Sequence, residues 1–163
     1  PHNVLGTYQN IWDRYRNVIG IFIRKTLNGI PILVYGDGEQ TRAFSDIKYY
    51  MDPFDLLHDN FDGEIFNIGA DKYFTLNEVA ETVQKIGKKY GYDVPIEHGE
   101  PRHEVKHAYC DHTKAKTMLG FRDNTKLEDL IETMFVWAMK QPNRKVKDME
   151  YEITDGIYDY WKE

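Results

Sequence analysis

The turn within residues 34–45 carries side chains whose types and spacing could bind a nucleotide. An apolar run ending at Tyr35 predicts a strand, and Gly36-Asp37-Gly38 ends it, because glycine accepts positive φ without steric cost. Arg42 and Phe44 follow two residues apart, so we expect them on one face of a short second strand. An aromatic ring before the turn and a guanidinium after it suit a ligand with a flat base and phosphates. The same residues equally fit a surface hairpin with a solvated arginine.

A second motif, His103-Glu104-Val105-Lys106-His107, matches the His-Glu-x-x-His pattern of zinc hydrolases. On a helix the two histidines would share a face, and Glu104 would activate water. Pro101 just before the motif and the cation of Lys106 within it count against this site. Val105 and Tyr109 favour a strand, in which the histidines lie about 13 Å apart at roughly 3.3 Å per residue. One ion cannot bridge that distance, so we expect no zinc and interpret both histidines as solvated strand positions.

A third motif, Tyr158-Asp159-Tyr160-Trp161-Lys162, matches a catalytic Tyr-x-x-x-Lys pair. Such a tyrosine needs the lysine one helical turn further on and a bound nicotinamide beside it. No cofactor-binding motif surrounds this copy, and we interpret it as accidental.

Hydrophobic periodicity predicts the elements that must position these residues. Pro53 should interrupt the helix predicted for residues 49–58, and capping boxes begin at Thr75 and Thr125. The helix predicted for residues 111–119 should turn Ala115, Met118 and Leu119 inward. The predicted helices cover residues 14–28, 49–58, 76–90, 111–119 and 126–140, and the strands cover residues 1–5, 32–35, 64–68 and 94–98.

The predicted fold class is α/β, a small mixed sheet with packed helices. Residues 1–142 should form one lobe, and residues 143–163 an aromatic tail. The chain has 163 residues, of which 41% are hydrophobic, and a net charge of −6, so nucleic acid is not an expected partner. Its longest apolar run, residues 18–23, is too short to cross a membrane. Cys110 is the single cysteine, which excludes an internal disulfide and fits the cytoplasm.

Segments across the chain, as far as about Lys140, resemble a known family in their order and spacing. The family is the extended short-chain dehydrogenases/reductases that act as NAD-dependent nucleotide-sugar epimerases and dehydratases. Within it, the segments look most like those of UDP-glucose 4-epimerases. The matching segments are His2-Asn3-Val4-Leu5-Gly6, Tyr15-Arg16-Asn17-Val18-Ile19-Gly20, residues 34–45, Phe66-Asn67-Ile68-Gly69 and residues 101–109.

The resemblance implies roles for residues outside the central turn. His2 would lie near the nicotinamide of the cofactor, and Asn3 near the sugar or the diphosphate. Asn17 would bind a phosphate at a helix N-terminus, where anions are favoured. From the residues alone, Asn3 is better explained as a turn residue, and a plain helix cap explains Asn17 equally well. Phe44 stands where many UDP-glucose epimerases carry Tyr, and would contact substrate.

The resemblance also implies how UDP would be held. Arg42 and Arg102 would converge on the diphosphate, and Glu104 would accept a hydrogen bond from the ribose. Tyr35 or Val34 would lie against the uracil. Because the chain is acidic overall, a diphosphate needs such a local pair of guanidinium groups.

Two family features are missing from these residues. No Gly-x-Gly-x-x-Gly follows a strand, and no Tyr-x-x-x-Lys precedes Asn3. We therefore expect a C-terminal substrate lobe that lacks its Rossmann half and carries no catalytic residue. NAD would be bound mainly by that half, so this chain alone should be inactive and hold no NAD.

The reaction implied for the parent enzyme is the NAD-dependent 4-epimerisation that interconverts UDP-glucose and UDP-galactose. This lobe would position the UDP while the sugar turns. The same lobe serves nucleotide-sugar 4,6-dehydratases and UDP-glucuronate decarboxylases, which remain alternatives. A catalytically silent nucleotide-sugar-binding module and the zinc hydrolase represent two other classes. The expected partners are a UDP-sugar and the Rossmann half, with no nucleic acid and no membrane.

Overall fold

The computed structural model describes residues 1–13, 17–59, 61–144 and 155. Short strands and helices are interspersed along this part of the chain, and the predicted α/β class is confirmed. The strands are β1 (Val4–Leu5), β2 (Ile32–Tyr35), β3 (Thr41–Ala43), β4 (Ser45–Asp46), β5 (Tyr73–Thr75), β6 (Ile96–Gly99) and β7 (His107–Ala108). The helices are α1 (Val18–Leu27), α2 (Met51–Asp59), α3 (Leu76–Lys89), α4 (Thr113–Met118) and α5 (Leu127–Met139), with a 3₁₀ turn at Ile47–Tyr50.

The strands form small separate sheets of mixed direction. β1 pairs with β4 and β2 pairs with β6, both in parallel. β3 lies between β5, which is antiparallel to it, and β7, which is parallel. Because β2 and β6 run in the same direction and Tyr35 pairs with Gly99, their carboxyl ends lie at one edge. The loops that follow both strands therefore meet there.

The main core lies where α1 and α3 pack against β2 and α5 packs against both of these helices. Each helix contributes apolar residues at helical spacing. Each fully buried Val, Leu, Ile, Phe or Met side chain contributes about 1.5–3 kcal/mol to the stability of the fold. α3 begins with the predicted capping box, in which Thr75 and Glu78 bond each other's backbone, and Gly91 follows its end with φ 87°. The fully buried residues of this core include Ile19, Ile23, Val79, Val83, Ile131, Met134 and Phe135.

A second, smaller core surrounds Tyr50, whose side chain is fully buried. The Tyr50 hydroxyl lies 2.8 Å from Oγ of Ser45 and donates to the carbonyl of Ile68 at 2.9 Å. Burial raises the pKa of Tyr50, so the neutral hydroxyl makes these bonds. They join β4 to the segment around Ile68.

Three predictions about the helices and strands are wrong. Residues 64–68 do not form a strand. Within the described part of the chain, the amide of His2 donates to the carbonyl of Ile68, and this single backbone hydrogen bond does not make a strand pairing. Pro53 does not interrupt α2, because it is the third residue, where helix amides lack partners anyway. β6 begins after Pro95 rather than at Val94.

Two predicted side-chain positions are also wrong. Thr125 does not cap α5; its hydroxyl donates to Asp123 at 2.6 Å and accepts from the amide of Asp46 at 3.0 Å. Lys126 stands at the cap position without a side-chain bond. Met118 is 43% exposed, whereas Ala115 and Leu119 do face inward.

The first helix is shorter at its start than predicted, since α1 begins at Val18. Residues 14–16 and nearly all of the predicted tail lie outside the described part of the chain. Within the described ranges, no helix combines the length and the apolar character needed to cross a membrane.

Candidate functional site

An open cleft of about 860 Å³ lies at the carboxyl ends of β2 and β6. The amide of Gly36 bonds the carbonyl of Gly99 at 3.0 Å, which ties the two strand ends together. Carboxyl ends of parallel strands are where α/β proteins bind ligands most often. The cleft is lined by Tyr35, Gly36, Asp37, Gln40, His98, Gly99, Glu100, Pro101, Arg102, Glu104 and Lys106.

The turn between β2 and β3 is fixed by Asn77, the second residue of α3. Its side-chain amide donates to the carbonyl of Asp37 at 2.9 Å and to Glu39 at 2.8 Å, and its backbone amide donates to Gly38. Nε2 of His98 lies 3.0 Å from Oδ1 of the Asn77 side chain. Gly38 has φ 75°, and a Cβ there would overlap the Asn77 side chain. The turn is therefore held in one conformation by a close approach that glycine permits.

Arg42, in the middle of β3, is held by a carboxylate and by two carbonyls. Nη2 donates to Oε2 of Glu104 at 2.8 Å, and Nη1 donates to the carbonyls of Thr41 and Lys106 at 2.8 and 3.3 Å. The Arg42 side chain is 16% exposed, against 35% for Glu104. The guanidinium is thus fixed at the back of the loop that forms one wall of the cleft.

Arg102, on the loop after β6, lies over the ring of Tyr35. The guanidinium carbon is 3.2 Å from the ring centroid, within the range of a cation–π contact. The cleft therefore contains an aromatic ring with a guanidinium on one face, and Glu104 connects this loop to Arg42. Tyr35, Arg42, Arg102 and Glu104 are predicted site residues that the structure brings together.

Two predicted substrate residues are buried away from the cleft. Val34 is fully buried, because alternate residues of β2 face the core. Phe44 is 1% exposed and belongs to the main core. The expectation that Arg42 and Phe44 share a strand face is wrong, because β3 ends at Ala43. Neither Val34 nor Phe44 presents a surface that a ligand in the cleft could contact.

The remaining predicted residues lie outside the lining of the cleft. Asn17 caps α1, and its side-chain oxygen accepts from the amide of Ile19 at 3.3 Å. Asn3 has φ 43°, and its carbonyl accepts from Ser45 at 3.1 Å, at the start of the β1–β4 pair. Burial and nearby positive charges, that of Arg42 among them, lower the pKa of His2.

The zinc-like motif does not adopt the helix that its chemistry requires. Residues 103–106 are irregular, and the expectation of a strand holds only for His107, in β7. Nδ1 of His107 lies 2.8 Å from the hydroxyl of Thr41, while Glu104 bonds Arg42. Among the described residues, no group of three or more His, Cys, Asp or Glu side chains could hold a metal ion. The Tyr158 to Lys162 motif lies outside the described residues.

Sequence reasoning did not identify Gln40, Asn77 and His98 as parts of this site. Their partners are distant in sequence; Gln40 and Glu104, for example, are 64 positions apart. Asn77 carried one local signal, since it follows the cap residue of a predicted helix, but its partners lie on two other elements.

Two solved structures illustrate what this fold is similar to. UDP-glucose 4-epimerase from Thermotoga maritima, solved with UDP-glucose, is 28% identical with a TM-score of 0.76, over 85% of this chain and 44% of that one. MoeE5, solved with UDP-glucose and NAD, is 28% identical with a TM-score of 0.69, over 84% of this chain and 44% of that one. The fold and the cleft thus define a lobe of the short-chain dehydrogenase/reductase class.

The family model for GDP-mannose 4,6-dehydratase matches residues 3–134. A UDP-N-acetyl-alpha-D-glucosaminuronate decarboxylase from Bacillus cytotoxicus is 32% identical over 134 residues, which are 79% of this chain and 42% of that protein. The chain belongs to this family of NAD-dependent nucleotide-sugar epimerases, dehydratases and decarboxylases, as the sequence predicted. It spans less than half the length of these relatives.

Proposed function

We propose that this chain binds the UDP of a nucleotide sugar in the cleft at the ends of β2 and β6, as the substrate lobe of an NAD-dependent UDP-sugar 4-epimerase. The observation that carries the proposal is that Tyr35, Arg102 and Glu104 line one cleft, while Arg42 bonds Glu104 from behind that lining. Similarity to a UDP-glucose 4-epimerase solved with UDP-glucose supports the choice of ligand.

Charge and shape both favour a nucleoside diphosphate in this cleft. A diphosphate needs fixed guanidinium groups, and Arg42 is already held by backbone carbonyls before any ligand arrives. The uracil would lie by Tyr35, with the diphosphate reaching Arg102 and Arg42 and the ribose reaching Glu104. Charge-assisted bonds of about 1.5–3 kcal/mol each suit this task.

The chemistry itself would come from NAD and a tyrosine that these residues do not supply. We propose that NAD is held mainly outside this lobe, with His2 near its nicotinamide, Asn3 near the sugar or the diphosphate, and Asn17 near a phosphate. Nδ1 of His2 is buried and has no hydrogen-bond partner among the described residues, which supports a polar neighbour there. Nicotinamide absorbance and UDP-glucose turnover by the purified chain test this; either one at stoichiometric or ordinary enzymatic levels contradicts it.

A UDP-sugar decarboxylase is the second candidate for the parent enzyme. The specific observation is the 32% identity to a decarboxylase whose substrate is also a UDP-sugar. The UDP subsite would be shared by both reactions, so the binding proposal does not depend on which reaction follows. We also propose that residues 143–163 form an aromatic tail that follows the lobe of residues 1–142, and that the enzyme is cytoplasmic.

Calorimetric titration of the chain with UDP and with uridine tests the binding proposal. Arg42→Ala and Arg102→Ala should each weaken UDP by roughly 10- to 100-fold, because each removes a charge-assisted bond of about 1.5–3 kcal/mol. Uridine, which lacks phosphate, should be affected much less. Lysine at either position should restore only part of the affinity, because it lacks the planar fork of arginine.

Arg122→Ala is the matched control. Nη1 of Arg122 also donates to two backbone carbonyls, those of Phe121 at 2.8 Å and Lys116 at 3.3 Å. Neither of these residues lines the cleft, whereas Arg42 bonds Glu104 and Lys106, which do. The Arg122→Ala variant should bind UDP with unchanged affinity. If both cleft variants bind UDP as the parent does, the proposed site is wrong.

A further inference from the structure

Gln40 is a buried amide that connects the two walls of the cleft. It is 8% exposed, and its Nε2 donates to the carbonyl of Tyr35 at 2.9 Å and to Oε1 of Glu104 at 3.0 Å. One bond fixes Gln40 to the end of β2, and the other reaches the loop that follows β6. Its own backbone carbonyl accepts from Leu76, the first residue of α3.

The orientation of the Gln40 amide follows from its partners. A backbone carbonyl and a carboxylate accept hydrogen bonds and do not donate them, so the NH₂ group must face both. Both of its hydrogens are thereby used. A buried side chain with both donors engaged has little freedom to turn, and it presents a fixed donor to Glu104.

Glu104 is consequently gripped on both oxygens. Oε1 accepts from Gln40 and Oε2 accepts from Arg42 at 2.8 Å. An ionised carboxylate offers about four lone-pair sites, so two such bonds leave acceptor capacity on the cleft side. A carboxylate fixed in this way suits hydroxyl donors such as the adjacent 2′ and 3′ hydroxyls of a ribose.

We propose that Gln40 is a positioning residue that holds Glu104 in the orientation needed to accept hydrogen bonds from the ribose hydroxyls of the bound nucleotide. The proposal rests on the proposed UDP site. Arg42 alone cannot fix the carboxylate, because a diphosphate would compete for the same guanidinium. Gln40 supplies the second hold, from a neutral group that the phosphates do not attract. Specificity for a ribose thus depends on a residue that need not touch the nucleotide.

The test compares UDP with 2′,3′-dideoxy-UDP, which lacks both hydroxyls, by calorimetry on the chain. The parent should prefer UDP by about tenfold, as expected for a hydrogen bond to a charged acceptor. Methionine has a similar length to glutamine and no amide, so Gln40→Met should reduce this preference to about twofold or less. The affinity for UDP should fall more than the affinity for the dideoxy ligand. Glu104→Gln should reduce it equally, and combining the two changes should add little, since they act as one unit.

Gln84→Met is the matched control for the loss of a side-chain amide, at a residue that is half-buried. Nε2 of Gln84 also donates to a backbone carbonyl, that of Val94 at 2.7 Å, on the side of α3 that lies outside the cleft. It should keep the tenfold preference of the parent. Should Gln40→Met fail to fold, Gln40→Asn keeps an amide one methylene shorter and is expected to show the same loss.

A folded Gln40 variant that retains the full preference for UDP overturns this inference. The proposed function then still stands if UDP binding depends on Arg42 and Arg102. Failure of the parent to bind UDP is a different result, and it overturns the proposed function and this inference together.

Discussion

Two clusters of charged and polar side chains in this molecule use similar groups for different ends. The cleft cluster consists of Gln40, Arg42 and Glu104. The clasp cluster consists of Asp71, His112 and Lys116, in which Nε2 of His112 lies 2.7 Å and Nζ of Lys116 2.5 Å from the same Asp71 oxygen. The clasp joins the segment before β5 to α4, and its groups are directed at one another. In the cleft cluster, the carboxylate is held from behind and faces a large cavity.

Protonation shows a further property of the clasp. Burial acts to raise the pKa of Asp71, but hydrogen bonds from Lys116 and His112 outweigh it, and the pKa is lowered. A carboxylate with a depressed pKa in the folded state stabilises the fold above its unfolded pKa, and this contribution is lost as the pH falls through the folded value. The clasp should therefore contribute to stability at neutral pH and lose that contribution in acid.

The largest predicted effect breaks the wall of the cleft and leaves the clasp intact. Gly38→Ala should lower the free energy of unfolding by about 2–4 kcal/mol, because it strains a positive φ and displaces Asn77 from its bonds. Gly63→Ala is the control, since Gly63 has φ 78° and nothing within 4 Å of the added Cβ. It should cost only the φ strain, about 1–2 kcal/mol. Urea unfolding measures both, and equal losses would show that the Asn77 contact is unimportant.

The next effect breaks the clasp and leaves the cleft intact. Asp71→Asn should destabilise the chain by about 1 kcal/mol at pH 7, since it removes a partly exposed ion pair and hydrogen bond. The difference from the parent should shrink as the pH falls below about 4, where the Asp71 carboxyl of the unfolded parent is protonated, and disappear below the lowered pKa of the folded state. Unfolding curves between pH 3 and pH 7 measure this, and UDP affinity should stay unchanged. A weakened UDP affinity in this variant would mean that the two clusters are coupled.

The smallest effect concerns an exposed ion pair that belongs to neither cluster. Lys85 bonds Glu128 at 2.8 Å between α3 and α5, with side chains 69% and 55% exposed. Lys85→Ala should change the free energy of unfolding by less than about 0.5 kcal/mol, because solvent and salt screen such pairs. A loss above about 1 kcal/mol in urea unfolding would contradict the view that only the buried or networked charges matter here.

Elements defined by neighbouring residues could be predicted from the sequence. β2, α3 with its capping box, and the stop at Gly91 depend on contacts within a few positions, and the structure has all of them. The sharing of one binding site by Arg42, Arg102 and Tyr35 was expected from resemblance, and it stays a prediction; the structure shows Arg102 over Tyr35 and Arg42 bonded to Glu104.

Features set by distant partners could not be predicted in this way. The hydroxyl of Thr125 is engaged by Asp46, which lies 79 positions earlier, so its local capping pattern was misleading. Phe44 was predicted to share a strand face with Arg42, but β3 ends at Ala43 and the side chain of Phe44 lies in the main core. Gln40 gave no local sign of its bond to Glu104.

The most direct test of the UDP site is an NMR titration of the ¹⁵N-labelled chain with UDP. Amide shifts should appear in the two loops of the cleft, residues 35–42 and 99–106, and should saturate together. Amides of the clasp, at Asp71, His112 and Lys116, should not move. Saturable shifts confined to the clasp or to the helical core, or no shifts in the cleft at millimolar UDP, would contradict the account.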